Sequence, residues 1–280
     1  MTDNLINING HTKIYGILGR PVTHSLSPAM HNAAFRHLGI NAVYVAFPVT
    51  ELPQAVAGLR GLAIGGVSVT IPFKEEVISL IDELDPQAAK IGAVNTLVNR
   101  DRSLTGYNTD WLGAVVALKA KISLKDRHVL ILGAGGASRA IAFGIIAEGG
   151  RVTLTDVDQP RAAALVKDLG GETVPLDALV DCPAAILVNA TPVGMVPDIN
   201  GIPITPDLLS RFEVVMDIVY QPLTTRLLKE AQARGCATID GLQMLIHQAT
   251  AQFELWTGQE APVEVMARAA LNTLEESFKL

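Results

Sequence analysis

The chain has 280 residues, enough to build two cores rather than one. Nearly half of it (49%) is apolar and only 18% is charged, which excludes a disordered, collagenous or coiled-coil chain. With 28 acidic against 22 basic residues the net charge is −6, so neither nucleic acid nor an anionic membrane, each of which needs a basic footprint, is the expected partner.

Apolar, β-branched runs recur at 13–18, 42–47, 66–70 and 93–98, and again at 128–133, 151–156, 184–190 and 213–218, with helix-like segments between them. Runs apolar throughout read as strands buried on both faces of a sheet, mostly parallel, and the whole as an α/β protein. A boundary is expected within 99–126, where NRDRSLTGYNTD reads as a turn and a short returning strand and WLGAVVALKAKISL as a helix leading to a fresh strand at His128. From Gly241 onward there are two helical patterns and no strand. Cys182 and Cys236 stand far apart and outside any CxxC pair, which leaves buried free thiols as the reading. The N-terminus is polar and no apolar run nears the roughly 18 residues of a membrane span, so a soluble, cytoplasmic protein is expected.

The segment HVLILGAGGASRAIAF puts Gly133, Gly135 and Gly136 after a strand and at the head of a helix. Glycine there permits a tight turn and lets a pyrophosphate approach the helix N-terminus. Ser138 stands where the third glycine of G-x-G-x-x-G would be, so the motif rests on its context. That context is a second strand ending at Asp156, placed to accept from a ribose 2′-hydroxyl. A carboxylate there repels the 2′-phosphate of NADP and favours NAD, with Arg161 the nearby cation that would soften the effect.

In GVSVTIPFKEEVISL a strand ends at Thr70, and Lys74 stands at the start of an expected helix, against the preference of that end for acids. A solvated lysine answering Glu75 and Glu76, or a chemical role, both fit. In HSLSPAMHN, Ser27 is explained as an N-cap with Pro28 in the first helical position; Ser25 is not explained by capping. Asn95, Asn108 and Asp110 supply polar groups at strand ends or turns, although Thr109 or Asp110 would equally cap the next helix. His24, His31 and His37 lack the four-residue spacing of a helical metal site and no carboxylates join them, so no metal is expected. Leu242, Leu245, Ile246 and Ala249 read as a core-facing stripe.

Eight ordered blocks, GRPVTHSLSPAMHN, VSVTIPFK, GAVNTL, GYNTD, GAGGASRA, NATPVGM, DIVYQPLTT and DGLQMLIHQA, together resemble the shikimate dehydrogenase family over roughly 13–258. The resemblance implies an N-terminal open, mostly parallel α/β sheet substrate domain, 1–110 plus 242–280. It also implies a Rossmann-like dinucleotide-binding domain, 111–241, with the active site in the cleft. It implies that Ser25 and Ser27 hold the substrate carboxylate, and that Thr70, Lys74, Asn95, Asp110, Tyr220 and Gln248 face the ring and its hydroxyls. Gly133, Ala134, Gly135, Gly136, Ala137, Asp156, Arg161, Ile218 and Gly241 would hold the dinucleotide. The implied reaction is the reversible reduction of 3-dehydroshikimate to shikimate in aromatic amino-acid biosynthesis. Lys74 would be the base in the oxidative direction, with Asp110 orienting it, and burial and a helix N-terminus tuning the lysine.

Where many members carry an Asn-Arg-Thr cluster for the 2′-phosphate of NADP, this chain has Asp156, Val157 and Asp158, with Arg161 alone matching. Both NADP and NAD therefore stay open. The Ser25–Ser27 pair resembles shikimate-specific members, whereas quinate-using ones often carry a threonine at the second position. The rival enzyme is an NAD-dependent quinate/shikimate dehydrogenase; a non-catalytic ligand or cofactor sensor is opposed by the presence of both Lys74 and Asp110. A homodimer is compatible with the resemblance.

Overall fold

The computed structural model describes residues 8–277. In chain order the elements are β1 (Lys13–Gly19), α1 (Ser27–His37), β2 (Ala42–Pro48), α2 (Leu52–Gly61), β3 (Gly66–Val69), β4 (Glu83–Leu84), α3 (Pro86–Ile91), β5 (Thr96–Arg100) and β6 (Ser103–Tyr107). They continue with α4 (Asp110–Lys119), β7 (His128–Leu132), α5 (Gly136–Ala147), β8 (Arg151–Thr155), α6 (Gln159–Leu169), β9 (Glu172–Thr173), β10 (Ile186–Asn189) and β11 (Val214–Asp217). Last come α7 (Arg226–Ala233), β12 (Ala237–Ile239), α8 (Gly241–Thr257) and α9 (Val263–Ser277). The chain divides into two compact units, one of residues 1–109 and 249–280, the other of 110–248.

The first unit is built on a sheet of order β2-β1-β3-β5-β6-β4. Its first three strands are parallel; β5 and β6 run antiparallel as a hairpin. The hairpin turns through Asp101 and Arg102, both at positive φ (51° and 70°), the geometry that matches strand twist in a two-residue loop. Because successive strand residues face opposite sides, one face buries Leu18, Val67, Val69, Leu97 and Leu104. The other carries Tyr15 and Tyr44 in an aromatic group with Phe35, Phe253 and Trp256. The last helix, α9, packs on α1, so the chain's end completes this unit.

The second unit has six parallel strands in the order β12-β11-β10-β7-β8-β9. The order reverses beside β7, the doubly wound pattern that opens a crevice at the carboxyl ends of the strands. Strands β10 and β11 are buried along their whole length, as their unbroken apolar character predicts. The two faces of the sheet are filled by Val129, Ile131 and Ile141 on one side and by Leu130, Leu187 and Val215 on the other.

Two local expectations are corrected. The run after Lys74 forms a turn and a five-residue 3₁₀ helix, Glu76–Leu80, instead of an α-helix, so Lys74 faces no α-helical dipole of its own. Helix α1 takes Leu26 as its capping position and Ser27 as its first residue, so Ser27 is not an N-cap.

Candidate active site

Four chain segments of the first unit meet at one end of its sheet. Leu18 of β1 pairs with Val69 of β3 in parallel, so both strands end there. β5 starts at that end, because it runs antiparallel with Ser68 opposite Thr96, and β6 ends there, with Tyr107 opposite Thr96. The residues just past these strand ends are Ser25, Thr70, Lys74, Asn95 and, after β6, Asn108 and Thr109. The backbone ties them together: the Val69 N–H donates to Asn95 O at 2.7 Å, and the Val94 N–H donates to Lys74 O at 2.7 Å.

Asn95 is 2% exposed. Its Oδ1 accepts from the Thr109 N–H at 2.8 Å and from Thr96 Oγ1 at 2.6 Å, and its Nδ2 donates to Thr109 Oγ1 at 2.9 Å. Asn108 is held by its own amide donating to Ala93 O. Asp110, buried, follows Thr109 directly in the chain and opens α4 in the second unit.

Ser25 does have a local role: its Oγ accepts from the Ser27 N–H at 3.2 Å, at the head of α1. A hydroxyl that accepts in this way keeps its own proton to donate. Ser27 is buried, Ser25 and Lys74 are half-buried, and the Thr70 N–H extends the sheet by donating to Leu18 O. Of the three histidines named above, His24 and His37 are exposed. His31 is fully buried and stacks on Tyr44 with ring centroids 4.5 Å apart. Burial pulls its pKa down to about 3, and neither ring nitrogen has a hydrogen-bond partner among the described residues.

In the second unit, Gly133 is at φ +104°, a conformation that L side chains rarely adopt, and a Cβ there would lie 3.0 Å from Ala190 O. Gly135, the capping residue of α5, is different: its backbone is ordinary, no side chain caps the helix, and a Cβ would meet no protein atom within 4 Å. The fold does not demand a glycine here, and the first N–H groups of α5 have no side-chain cap. Ser138 is fully buried with its hydroxyl unpaired, serving as the small residue that lets α5 approach the sheet. Asp156 stands just past β8 and accepts from the Ala134 N–H at 2.6 Å and the Asp158 N–H at 2.8 Å. Val157 is 89% exposed, and Arg161 lies in the first turn of α6, exposed.

Gly241 heads α8 with its Cα against the Ile218 carbonyl, where any side chain would overlap backbone. These two expected cofactor residues are therefore neighbours. Tyr220, whose phenol is pushed up by burial, follows β11; Gln248 is buried in α8 and donates to Leu245 O. At the end of β11 itself lies a buried acid that the sequence does not single out. Asp217 accepts from Asn189 Nδ2, the Val219 N–H and Thr225 Oγ1, and burial raises its pKa to about 6. Gln252, Ser68 and Thr96 are likewise not singled out as site residues, although Ser68 and Thr96 lie within the blocks VSVTIPFK and GAVNTL. The signal for Gln252 is an amide on the buried face of a helix, beside a stripe that reads as purely apolar.

Among the described residues no three His, Cys, Asp or Glu side chains gather as a metal site, and no helix is long and apolar enough to cross a membrane.

Two family models match, that of the shikimate dehydrogenase substrate binding domain over residues 17–97 and that of the shikimate 5'-dehydrogenase C-terminal domain over 241–271. The shikimate dehydrogenase (NADP(+)) of Pyrococcus furiosus is 48% identical, covering 96% of this chain and 99% of that one. The crystal structure of shikimate 5-dehydrogenase from Thermus thermophilus in complex with NADP(H) and shikimate superposes with a TM-score of 0.86. It is 41% identical and covers 94% and 100% of the two chains. Quinate dehydrogenase from Corynebacterium glutamicum in complex with NAD reaches the same TM-score, 0.86, at 32% identity, covering 93% and 99%. Identity of this order along nearly the whole length, on a fold whose strand ends carry Lys74, Asn95 and the Gly133–Gly136 turn, places the chain in the shikimate dehydrogenase family.

Proposed function

We propose that the chain interconverts 3-dehydroshikimate and shikimate, using a nicotinamide dinucleotide held by its second unit. The observation that carries this reading is the convergence of Ser25, Thr70, Lys74 and Asn95 at one sheet end, with Asp110 one peptide bond from the Asn95–Thr109 clamp. Neutral hydroxyls and an amide suit a small polyhydroxylated acid, since each ligand oxygen needs a partner once water is expelled. Ser25, which keeps a donor proton, and Ser27 hold the carboxylate. Lys74 Nζ takes the hydroxyl proton in the oxidative direction and returns it in reduction, with Asp110 orienting it; Thr70, Asn95, Tyr220 and Gln248 hold the ring. When bound, the nicotinamide supplies the two-electron acceptor or donor for the ring carbon.

In this reading 1–110 and 242–280 serve the substrate and 111–241 the dinucleotide. Gly133, Ala134, Gly135, Gly136 and Ala137 carry the pyrophosphate turn, and Ile218 and Gly241 line the nicotinamide end. At the ribose, Asp156 with Val157 beside it favours NAD over NADP, because the carboxylate accepts from a 2′-hydroxyl and repels a 2′-phosphate.

Initial rates of oxidation of shikimate and of quinate, each with NAD and with NADP, test both levels. Turnover of shikimate and not quinate is expected, with NAD the better acceptor. Quinate accepted with NAD moves the chain to the catabolic reading, and no turnover of either substrate overturns the assignment.

A further inference from the structure

Gln252, in α8 at 1% exposure, sits at the centre of a buried polar chain in the first unit. Its Oε1 accepts from Ser68 Oγ at 2.7 Å, and its Nε2 donates to Asn95 O at 3.1 Å and to Thr96 Oγ1 at 3.0 Å. Ser68 Oγ lies 2.6 Å from the Tyr44 hydroxyl. Thr96 Oγ1 in turn donates to Asn95 Oδ1.

The donors in this chain all point one way. Ser68 spends its proton on Gln252, so Tyr44 donates to Ser68. Gln252 donates to Thr96, so Thr96 spends its proton on Asn95 Oδ1. With Thr96 and the Thr109 N–H both feeding Oδ1, the Asn95 amide has one allowed orientation, with Nδ2 as its donor end. Packing alone explains none of this: a leucine fills the same volume without the cost of burying an amide, and the amide is worth burying where its bonds are all made and cooperate.

We propose that Gln252 is a positioning residue for the hydroxylated ring acid. Through its bonds to Asn95 O and to Thr96 Oγ1, which donates on to Asn95 Oδ1, it joins the Thr109 N–H in holding the Asn95 amide with Nδ2 as its donor end. The inference rests on the reading that Asn95 faces the substrate.

The test compares wild type with Gln252→Leu, Gln252→Glu, Thr96→Val and Thr96→Ser, reading thermal midpoint, kcat, and KM for shikimate and for the dinucleotide separately. Thr96→Val cuts the chain at nearly constant volume and keeps the test available if Gln252→Leu does not fold. Both should raise KM for shikimate by about tenfold or more while KM for the dinucleotide stays within about twofold. Thr96→Ser, which keeps the hydroxyl, should restore the wild-type KM. In Gln252→Glu one carboxyl oxygen faces Asn95 O and Thr96 Oγ1, so the side chain is tolerated only protonated, and KM for shikimate should rise with pH more steeply than in wild type. An unchanged shikimate KM in folded Thr96→Val, or equal rises in both KM values, overturns the inference while wild-type turnover upholds the functional reading. Absence of wild-type turnover on shikimate overturns both.

Discussion

Asp156, past the end of β8, is joined to Ala134, past the end of β7, by a 2.6 Å hydrogen bond from the Ala134 N–H to its carboxylate. The acid is therefore fastened to the glycine turn itself, and its charge stays beside the place where a ribose would lie. Like charges brought together at a binding site cost several kcal/mol, so the pair Asp156→Asn with Val157→Arg should raise kcat/KM for NADP by about tenfold or more and lower that for NAD. The asparagine can accept only one of the two N–H groups that Asp156 now holds, and a loss of about 1 kcal/mol in stability should accompany the switch. Unchanged cofactor ratios in the double variant would remove Asp156 from the specificity argument.

Two glycines of the same turn make opposite predictions. Gly133→Ala forces a side chain into φ +104° against the Ala190 carbonyl, and should cost about 1–3 kcal/mol in thermal or urea unfolding. Gly135→Ala places its methyl where no protein atom lies and its backbone is unstrained, so the folded protein should be as stable as wild type. The methyl would instead occupy the space a pyrophosphate needs, and KM for the dinucleotide should rise by about tenfold or more. Full cofactor affinity in Gly135→Ala would show that the phosphate lies elsewhere.

The backbone of Lys74 is held by the 2.7 Å bond from the Val94 N–H. Lys74→Met should lower kcat for shikimate oxidation by about 10²- to 10⁴-fold, the usual worth of general acid–base catalysis, and remove one limb of the pH–rate profile. Dinucleotide binding, read by fluorescence, should not change. A profile of unaltered shape would take the proton transfer away from this residue.

The residues most legible in the sequence are those that stand in the ordered blocks, VSVTIPFK for Lys74 and GAGGASRA for Gly135. Only the structure shows that Gly135 is a glycine no turn requires, and that Lys74 does not head an α-helix. Strands buried on both faces are readable, since the run Ile186–Asn189 has no solvent side to mark with polar residues. After Lys74 the sequence overstates a helix, because Glu75, Glu76 and a following apolar spacing satisfy helical rules that the short link to β4 leaves no room to obey. The capping position of α1 falls one residue earlier than the sequence suggests, since Ser25 reaches the Ser27 N–H past Leu26, and nothing in the spacing S-L-S-P distinguishes the two serines. Gln252 is invisible for a deeper reason, since its partners Ser68 and Asn95 are distant in the chain; Asp217 stands in the block DIVYQPLTT, but one of its three partners, Asn189, is likewise distant.

Asp217 gives the last prediction, because its carboxyl is buried and its pKa is raised from 3.8 to about 6, mainly by that burial and against the three hydrogen bonds that favour the charged form. An acid with a higher pKa folded than unfolded binds its proton more tightly in the folded state. Its favourable contribution is complete below the unfolded value of 3.8 and is lost as pH rises through about 6. A shift of this size corresponds to about 3 kcal/mol. Asp217→Asn keeps an oxygen for Asn189 Nδ2 and the Val219 N–H, and its amide can donate to Thr225 Oγ1, so it should fold. Urea unfolding of the two proteins between about pH 4 and about pH 8 should then diverge, wild type losing about 3 kcal/mol relative to the asparagine variant as pH rises. Parallel stability curves across that range would mean that Asp217 is charged in the folded protein at every pH tested, with its three donors outweighing its burial.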